Sequence, residues 1–436
     1  MQYSEALDYL YSRLPVFHRI GPKALKPGLG NIRRLCDALG NPERQFRSIH
    51  VGGTNGKGST SHMLASVYQA AGYRVGLYTS PHLTDFTERI RLNGRPIPES
   101  DVAAFVTEHQ ALIEAVEPSF FEVTVALAFA YFARQSLDVA IIEVGLGGRL
   151  DSTNIITPLA SVITNIGFDH TDLLGETLPA IAGEKAGIIK PDVPVVIGET
   201  QPETEAVFRT TAERLAAPIT FADQTWWVND AGIVGSQRHV RVWQTTQSPE
   251  AAAWLTLDLL GDYQLRNLAA VLQTVDVLQP VLPVSADALA RGLSSAGQTT
   301  GLRGRFQLLG QTPMVIADTA HNPPGLAVLL RQVLALPHQT LRIVLGMVAD
   351  KSADSVLAEL PQTARYYFCQ AQSPRSLSAD VLRAQAGAAG RMGNAYADVN
   401  EALRAALAES SPQDIILVTG SNYILAELGS ARLYPK

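Results

Sequence analysis

The sequence predicts an α/β fold: a mostly parallel sheet domain of the P-loop ATPase type, followed by a smaller, Rossmann-like α/β domain at the C-terminus. Three observations predict it. Short, β-rich apolar runs alternate with helical patterns, which is typical of parallel sheets covered by helices. The glycine-rich stretch GGTNGKGST (52–60) separates one such run from a helical pattern. The small, polar stretch AGQTTGL (296–302) precedes a second series of alternating runs.

The chain length sets the expected number of domains. Its 436 residues are too many for one hydrophobic core, so two or three domains are expected. Small and polar residues favour a linker, and a hinge, at 296–302. This divides the chain into a larger domain at 1–298 and a smaller one at 299–436. A ligand shared by two such domains is expected at the carboxyl ends of their strands.

Composition indicates a globular protein in a reducing compartment. Hydrophobic residues make up 46% of the chain and charged residues 17%, which argues against disorder. The net charge of −6 comes without any basic run, and this argues against nucleic acid as a partner. The two cysteines, Cys36 and Cys369, lie far apart and form neither a metal motif nor a disulfide framework.

The N-terminal stretch predicts a helix, not a targeting segment. MQYSEALDYLYSRL carries apolar residues at amphipathic spacing together with Glu5 and Asp8, unlike a signal peptide. No apolar run is long enough to span a bilayer. We therefore expect a cytoplasmic protein without a membrane partner.

The larger domain shows the pattern of a parallel sheet up to about residue 200, and shorter, more exposed strands after it. We expect those at 224–260 to form an antiparallel flap, with helical patterns following. The predicted strands are FRSIHV (46–51), RVGLYT (74–79), DVAIIEV (138–144), ASVITNI (160–166) and VPVVIG (193–198), with helices at 60–72 and 122–135.

The glycine-rich loop is the first candidate site. It departs from the usual G-x-x-x-x-G-K-[ST] spelling, because Gly58 follows Lys57. A strand before it and a helix after it still provide inward N–H groups and a helix N-terminus for phosphate. The alternative is a glycine-rich turn with a surface lysine. The expected nucleotide contacts are Thr54, Asn55, Gly56, Lys57, Gly58, Ser59 and Thr60.

Glu143 is the second candidate, because it ends the apolar run DVAIIEV. A carboxylate at a strand end beside a phosphate loop is well placed to hold Mg²⁺. On residue type alone, Ser80 is a turn serine and His170 a loop histidine, since Mg²⁺ rarely chooses imidazole.

Several segments together carry a family resemblance. GTNGKGS closely resembles the ATP loop of the Mur ligase superfamily, in particular of folylpolyglutamate synthase and dihydrofolate synthase. Further segments resemble that family in its own order and cover most of the chain: 79–97, EVGLGGRLDSTNII (143–156), ITNIGFDHTDLLG (163–175), EKAGIIK (184–190), GDYQLRNLAAV (261–271), GRF (304–306) and DTAHNPPG (318–325). The resemblance implies an ATP-binding central domain followed by a glutamate-ligase domain.

The resemblance also implies a metal site. It makes Ser80, Glu143 and His170 contacts of two magnesium ions, and it makes Lys185 a carbamylated lysine. On the residues alone, Lys185 is equally a helix-surface lysine paired with Glu184, and Lys190 is the rival for carbamylation.

Substrate contacts follow from the resemblance in the same way. The resemblance implies ATP contacts at Asn267, Arg305 and Asp318, and the expected partner of Asp318 is ribose or the arginine. His321, in the same segment as Asp318, is a weaker candidate for the same role. For each of these residues, the alternative is a packing contact between domains. Seven residues resemble the family's pterin-contacting positions: Ser119, Phe120, Phe121, Glu122, Leu150, Asp151 and Ser152. Two adjacent phenylalanines are also typical of a hydrophobic core, which is the alternative for Phe120 and Phe121. A long loop expected at 81–97 resembles the family's substrate loop. The candidates for binding glutamate are Ser421, Tyr423 and the segment 345–352.

These implications define the expected reaction. A substrate carboxylate attacks the γ-phosphorus of ATP, and the amine of glutamate then attacks the acyl phosphate, with Lys57, His170 and Lys185 as catalytic residues. Expected partners are ATP, L-glutamate and dihydropteroate or folate, bound by a monomer. A cell-wall Mur ligase is the first alternative, although the loop at residue 52 leaves no room for its N-terminal domain. An ATP-binding protein without ligase activity is the second.

Overall fold

A computed structural model describes residues 1–16, 26, 28–349 and 353–428. The chain forms two compact units. The first comprises Met1–Asp258 and Gln264–Leu302, and the second comprises Leu259–Tyr263 and Arg303–Lys436. The short segment Leu259–Tyr263 thus belongs to the second unit although its neighbours in sequence belong to the first.

The main sheet of the first unit has eight strands in the order β4-β3-β2-β5-β1-β6-β7-β8. Six neighbouring strands run parallel, namely β2, β5, β1, β6, β7 and β8. The strands β3 and β4 extend the sheet beyond β2 in antiparallel fashion. Their bounds are β1 Ser48–Gly52, β2 Val75–Tyr78, β3 Ile90–Leu92, β4 Arg95–Pro96, β5 Val139–Glu143, β6 Ala160–Ile163, β7 Val195–Ile197 and β8 Ile219–Phe221. All residues of β1 and β5 are buried, as expected for central parallel strands covered on both faces.

Helices pack against the sheet, and two clusters of buried apolar residues lie near different strands, one at β2 and β5 and the other at β6 and β7. The helix Lys57–Ala70 directly follows β1, and its residues Ser59–Tyr68 are all buried. The other helices of this unit are Tyr3–Arg13, Gly30–Ala38, Glu99–Val116, Phe120–Arg134, Thr171–Leu174, Leu178–Ala186, Pro202–Arg214, Ala222–Thr225, Gln264–Leu278, Ala286–Ser294 and Ala296–Thr300. Short 3₁₀ turns lie at Pro42–Arg44, Phe86–Arg89, Ser152–Ile155 and Pro249–Ala251.

A small antiparallel sheet completes the first unit, as predicted for 224–260. Its strands β9 Trp226–Val234, β10 Gln237–Gln244 and β11 Ala253–Leu257 lie in the order β11-β10-β9. Alternate residues of β10 are buried, which is the pattern of a sheet with one covered face.

The second unit is a six-stranded sheet in the order β12-β13-β17-β14-β15-β16. Only β12 pairs in antiparallel fashion. Its strands are β12 Gln307–Gln311, β13 Met314–Asp318, β14 Leu341–Gly346, β15 Arg365–Phe368, β16 Gly393–Ala395 and β17 Ile415–Gly420. Its helices are Pro323–Ala335, Ala353–Glu359, Ala379–Ala388, Val399–Ala408 and Asn422–Ala426. The α/β class predicted for both parts of the chain is confirmed.

Two local predictions differ in detail from the structure. The predicted linker 296–302 ends where the two units divide, at Leu302, and its residues Ala296–Thr300 form a helix, in which Asp258 accepts hydrogen bonds from the backbone N–H groups of Gly297 and Gln298. The predicted long loop at 81–97 contains the 3₁₀ turn and the strands β3 and β4, because β3 pairs with β2. Within the described ranges, no helix combines the length and apolar character needed to cross a membrane.

Candidate active site

The glycine-rich loop joins β1 to the helix that begins at Lys57. Gly56 precedes this helix with φ of 87°, a conformation that favours glycine. A Cβ atom on Gly56 would lie 2.2 Å from Oδ1 of Asn267, and one on Gly53 would lie 1.9 Å from Oγ1 of Thr164. Both glycines are therefore required by the close approach of neighbouring side chains.

The segment after β6 holds the loop in place. The backbone N–H of Thr54 donates to the carbonyl of Asn165 at 2.8 Å, and the N–H of Asn55 donates to Oδ1 of Asn165 at 2.9 Å. The hydroxyl of Thr164 donates to the carbonyl of Asn55 at 2.6 Å. No role was predicted for Thr164 or Asn165. Their position directly after the strand β6 is the signal in the sequence that marks them.

Two lysine side chains meet at one carbonyl of the loop. The Nζ atom of Lys57 lies 3.1 Å from the carbonyl oxygen of Gly53 and 3.0 Å from that of Thr54. The Nζ atom of Lys185 donates to the same Gly53 oxygen at 2.9 Å. The loop thus gathers two amines at one of its carbonyl oxygens.

Lys185 is buried in the helix Leu178–Ala186. Burial, together with the charge of Lys57, lowers its pKa to about 7, although Asp169 and Asp151 act in the opposite direction. The alternative of a surface lysine paired with Glu184 is wrong, because Glu184 accepts from Arg149 at 2.8 Å instead.

Lys190 differs from Lys185 in both burial and partner. Its Nζ atom donates to the carbonyl of Asn154 at 2.9 Å. Partial burial, with the charge of Arg33, lowers its pKa to about 8. The Lys190 amine is thus directed to the 3₁₀ turn Ser152–Ile155, whereas that of Lys185 is directed to the phosphate loop, so the geometry favours Lys185 as the reactive amine.

Glu143 ends β5 and is buried. Its Oε2 accepts a hydrogen bond of 3.0 Å from the backbone N–H of Ser80, so the structure brings these two predicted metal contacts together. Among the residues that the structure describes, no group of three or more His, Cys, Asp or Glu side chains could hold a metal ion. Magnesium commonly takes one or two carboxylates and completes its shell with phosphate oxygens and waters, and the buried carboxylate of Glu143 fits that preference.

His170 lies just before the short helix Thr171–Leu174, with φ of 51°. Its backbone N–H donates to Oδ1 of Asp169 at 3.0 Å, and its Nε2 lies 3.9 Å from the same oxygen. Asp169 therefore holds the backbone of His170 and lies near its imidazole, and it also acts electrostatically on Lys185.

The helix Gln264–Leu278 supplies a second side of the loop. Asn267 is buried, lies against Gly56, and donates to Oε1 of Gln264 at 2.8 Å. Gln264 in turn donates to the hydroxyl of Ser59 at 3.1 Å. Gln264 was not predicted as a functional residue, although it stands three positions before Asn267 on the same helix face.

The predicted pterin contacts fall into different environments. Ser119 and Glu122 form a capping box at the start of the helix Phe120–Arg134. Phe120 is buried and stacks on Tyr11 at 5.0 Å. Phe121 is half-buried and lies against Gly145, where a Cβ atom would be 2.4 Å from its ring.

The segment 150–152 mixes exposed and buried side chains. Leu150 is 49% exposed, whereas Asp151 and Ser152 are buried. Both oxygens of Asp151 accept hydrogen bonds from its own turn, including one of 2.8 Å from the backbone N–H of Leu146. Phe121 and Leu150 are therefore the predicted contacts that offer apolar surface.

The second unit holds the remaining predicted contacts. Asp318 is buried at the end of β13, and its oxygens accept from the hydroxyl of Tyr263 at 2.6 Å and from the backbone N–H groups of Phe306 and Ala320. The predicted partners were ribose or Arg305. Arg305 acts on this carboxyl electrostatically and donates to the carbonyl of Gly304.

The other candidates of this unit are less defined. Nδ1 of His321 lies 2.9 Å from the carbonyl of Thr319. Ser421 is buried and Tyr423 half-buried at the helix Asn422–Ala426. Of the segment 345–352, residues 350–352 lie outside the described residues.

Known families and relatives resemble the chain over nearly its whole length. Residues 51–275 match the Mur ligase middle domain, and residues 304–422 match the Mur ligase, glutamate ligase domain. The dihydrofolate synthase/folylpolyglutamate synthase of Bacillus subtilis is 35% identical over 98% of this chain and 98% of its own. The chain spans about half the length of two archaeal relatives, which are named as bifunctional folylpolyglutamate synthase/dihydropteroate synthases.

Solved structures of similar proteins agree with this. Escherichia coli FolC in complex with DHPP and ADP aligns with a TM-score of 0.85 and 32% identity, covering 98% of this chain and 97% of the other. The bifunctional folylpolyglutamate synthase/dihydrofolate synthase of Yersinia pestis, complexed with AMPPNP and Mn ion, aligns with a TM-score of 0.83 and 30% identity, covering 98% and 97%.

Proposed function

The chain belongs to the folylpolyglutamate synthase/dihydrofolate synthase family of the Mur ligase superfamily, and from this membership we propose a specific reaction and specific residues for it. The protein is an ATP-dependent ligase that joins L-glutamate to dihydropteroate, to a reduced folate with its polyglutamates, or to both. The substrate carboxylate attacks the γ-phosphorus, ADP leaves, and the amine of glutamate then displaces phosphate from the acyl phosphate.

The observation that carries this function is the meeting of Lys57 and Lys185 at the Gly53 carbonyl. A loop that only binds ATP needs one lysine for the phosphates. A second amine buried at the same point costs free energy, since burial disfavours its charge, and groups perturbed in this way cluster at functional sites. This favours a ligase over an ATP-binding protein without activity.

The phosphate loop binds the triphosphate. The backbone N–H groups from Thr54 to Thr60 and the N-terminus of the helix that follows attract anionic oxygens. The ammonium of Lys57, which now contacts two loop carbonyls, gains full negative charges as partners when the β- and γ-phosphates bind. Asn267 and, from the second unit, Arg305 and Asp318 are further contacts for the nucleotide.

Glu143, with the hydroxyl of Ser80 and the imidazole of His170, would hold magnesium. When bound, the ions neutralise charge on the transferring phosphoryl group. The residues of the chain prepare that site: the Ser80 N–H fixes the Glu143 carboxylate, and Asp169 holds the backbone of His170. Similar proteins have been solved with AMPPNP and Mn ion, which supports a divalent metal in this one.

Lys185 becomes a carbamate. Its neutral amine attacks CO₂, a C–N bond forms, and one proton leaves, so that a cation is replaced by an anion. Because the pKa of Lys185 is lowered to about 7, about half of these side chains are neutral at pH 7. The resulting anion would orient the metal or the helix N-terminus nearby.

The pteridine is proposed to lie against Phe121 and Leu150. These two predicted contacts have apolar surface available, which suits a flat aromatic ring. Ser119, Phe120, Glu122, Asp151 and Ser152 are proposed to shape the site from behind. Ser421 and Tyr423 of the second unit remain candidates for glutamate.

Phosphate release tests this function. With ATP and Mg²⁺ present, release should require both glutamate and a pteridine acid, and dihydropteroate compared with tetrahydrofolate identifies the accepted substrate. Release without glutamate would favour an ATPase. Release with a nucleotide-sugar acceptor of the cell wall, and none with pteridine acids, would favour the peptidoglycan ligase.

A further inference from the structure

A histidine of the central strand faces the turn that carries the candidate pteridine contacts. His50 lies in β1, where its register partners are Ile142 of β5 and Ser161 of β6. Side chains of register partners point to the same face of a sheet. The His50 side chain is buried there completely, three residues before the phosphate loop.

His50 starts a chain of hydrogen bonds. Its Nε2 lies 2.9 Å from the hydroxyl oxygen of Thr153. The Thr153 hydroxyl lies 2.5 Å from Oδ1 of Asp151, which also accepts the backbone N–H of Thr153 at 3.0 Å. The other oxygen of Asp151 accepts the N–H of Leu146 at 2.8 Å. This series of hydrogen bonds thus connects the central strand β1 to the turn 145–152.

The direction of these bonds follows from counting protons. A carboxylate that accepts backbone N–H groups is an acceptor, so the single hydroxyl proton of Thr153 points to Asp151. The hydroxyl oxygen must then accept from His50, which requires a proton on Nε2. Nδ1 of His50 has no hydrogen-bond partner within the described part of the chain, as fits a nitrogen without a proton.

The turn is fixed on its other side by Asn154. Its Nδ2 donates to the carbonyl of Arg149 at 3.1 Å and to that of Gly187 at 2.9 Å. The turn also approaches the helix that carries Lys185, since a Cβ atom on Gly148 would lie 2.7 Å from the carbonyl oxygen of Glu184. The shape of the turn therefore depends on a few side-chain hydrogen bonds. The hydrogen bond that comes from the central strand is made by His50.

We propose that His50 and Thr153 are positioning residues for the pteridine substrate. His50, with its proton on Nε2, orients the Thr153 hydroxyl, Thr153 orients Asp151, and Asp151 holds the turn that presents Leu150. This rests on the proposed function, in which that turn contacts the pteridine. Neither residue is among the proposed contacts for ATP or glutamate.

Matched substitutions at Thr153 test the proposal. Thr153→Val keeps the shape and removes the hydroxyl, so it should raise KM for the pteridine acid about tenfold, as loss of one buried hydrogen bond of about 1.4 kcal/mol would. KM for ATP should stay within about twofold, and Thr153→Ser should resemble the wild type. A Thr153→Val enzyme with equal changes in both KM values, or with none, overturns the proposal.

The same comparison at His50 covers the case in which Thr153→Val does not fold. Gln can place a donor where Nε2 lies, whereas Phe cannot. His50→Gln should therefore keep KM for the pteridine acid near the wild-type value, and His50→Phe should raise it. Equal KM values in the two variants overturn the proposal.

The tautomer of His50 gives a readout that does not depend on activity. In ¹⁵N-labelled histidine spectra of the full chain, with the His50 signal assigned from His50→Gln, the proton should be on Nε2. A proton on Nδ1 overturns the hydrogen-bond direction. If the wild-type protein shows the proton on Nε2 but turns over no pteridine acid, the proposed function is refuted. The role of these hydrogen bonds in positioning the substrate is then refuted with it.

Discussion

Lys185 illustrates at the scale of one residue how burial changes side-chain chemistry. An ordinary lysine is protonated at neutral pH, and the protonated amine cannot attack CO₂. Burial and the nearby charge of Lys57 lower its pKa to about 7, so the reactive neutral form becomes abundant near neutrality.

Removal of this amine should abolish turnover. Lys185→Ala leaves neither carbamate nor amine, and short-chain carboxylic acids should restore part of the activity by placing a carboxylate in the space. The measurement is glutamate-dependent phosphate release with and without added acetate or propionate. Lys185→Arg is the control, because it keeps a cation and fills the space, and so should be inactive without rescue. Near-normal activity of Lys185→Ala would rule out the carbamate.

Activation by CO₂ should follow the titration of Lys185. Because its pKa is lowered from 10.5 to about 7, the neutral amine predominates above pH 7 and the inert ammonium below it. At constant dissolved CO₂, an enzyme freed of CO₂ should regain activity about tenfold faster at pH 8 than at pH 6. The time course of recovery measures this. A recovery rate independent of pH, or faster in acid, contradicts the assignment.

Gly56 provides a test of the phosphate loop itself. Gly56→Ala places a methyl group against Oδ1 of Asn267, whereas a methyl group on Gly72, which has a similar φ of 93°, would meet nothing within 4 Å. Both alanine variants should lose about 1 kcal/mol of stability from the left-handed backbone. Only Gly56→Ala should also lose ATP affinity, by about tenfold or more in calorimetric titration. Equal ATP affinity in the two variants would separate the loop from nucleotide binding.

At the scale of elements, the helix Phe120–Arg134 is defined by its capping box. The Ser119 hydroxyl accepts the N–H of Glu122, and the Glu122 carboxylate accepts from Ser119. Both polar side chains are therefore used within the helix start, which favours a structural role behind the pteridine.

Ser119→Ala should lower the free energy of unfolding by about 1 kcal/mol, whereas Ser119→Thr, which keeps the hydroxyl, should change it little. KM for the pteridine acid should stay within about twofold in both. Denaturant unfolding measures the free energy of unfolding of both variants, and steady-state kinetics measures their KM for the pteridine acid. A raised KM without loss of stability in Ser119→Ala would show that the hydroxyl contacts the substrate directly.

Five parallel strands of the main sheet could be predicted because buried parallel strands are continuous apolar runs, whereas β3, β4 and β8 were not predicted. The predicted bounds differ from the observed ones by up to three residues, as at 160–166, where β6 ends at Ile163. The segment 296–302 could not be predicted in this way. Its composition is that of a linker, and the side chain that caps its helix, Asp258, stands some forty residues earlier.

Two candidate residues could be predicted from residue type and position alone. Lys57 and Glu143 each lie beside a strand end, whereas Lys185 was predicted only through the family resemblance; the structure places Lys57 and Lys185 at one carbonyl. Gln264 and Asn165 contribute through contacts with segments far away in the chain, so no local pattern marks them. His50 sits inside an apolar strand, where a buried histidine has no sequence signal of its own.

For the whole molecule, two units share one chain in an interleaved order. Tyr263 belongs to the second unit and hydrogen-bonds to Asp318 there, while Gln264, the next residue, bonds to Ser59 of the first. The glutamate-ligase domain and the nucleotide domain are thus joined by more than the single linker at 296–302 that composition suggested.

The central claim is that ATP activates the substrate as an acyl phosphate before glutamate attacks. The most direct test uses a pteridine acid with ¹⁸O in its carboxylate, ATP, Mg²⁺ and glutamate, and mass spectrometry of the released phosphate. Because the carboxylate oxygen attacks phosphorus and stays bonded to it when the amide forms, each phosphate should carry one ¹⁸O. Amide formation with unlabelled phosphate would contradict the account.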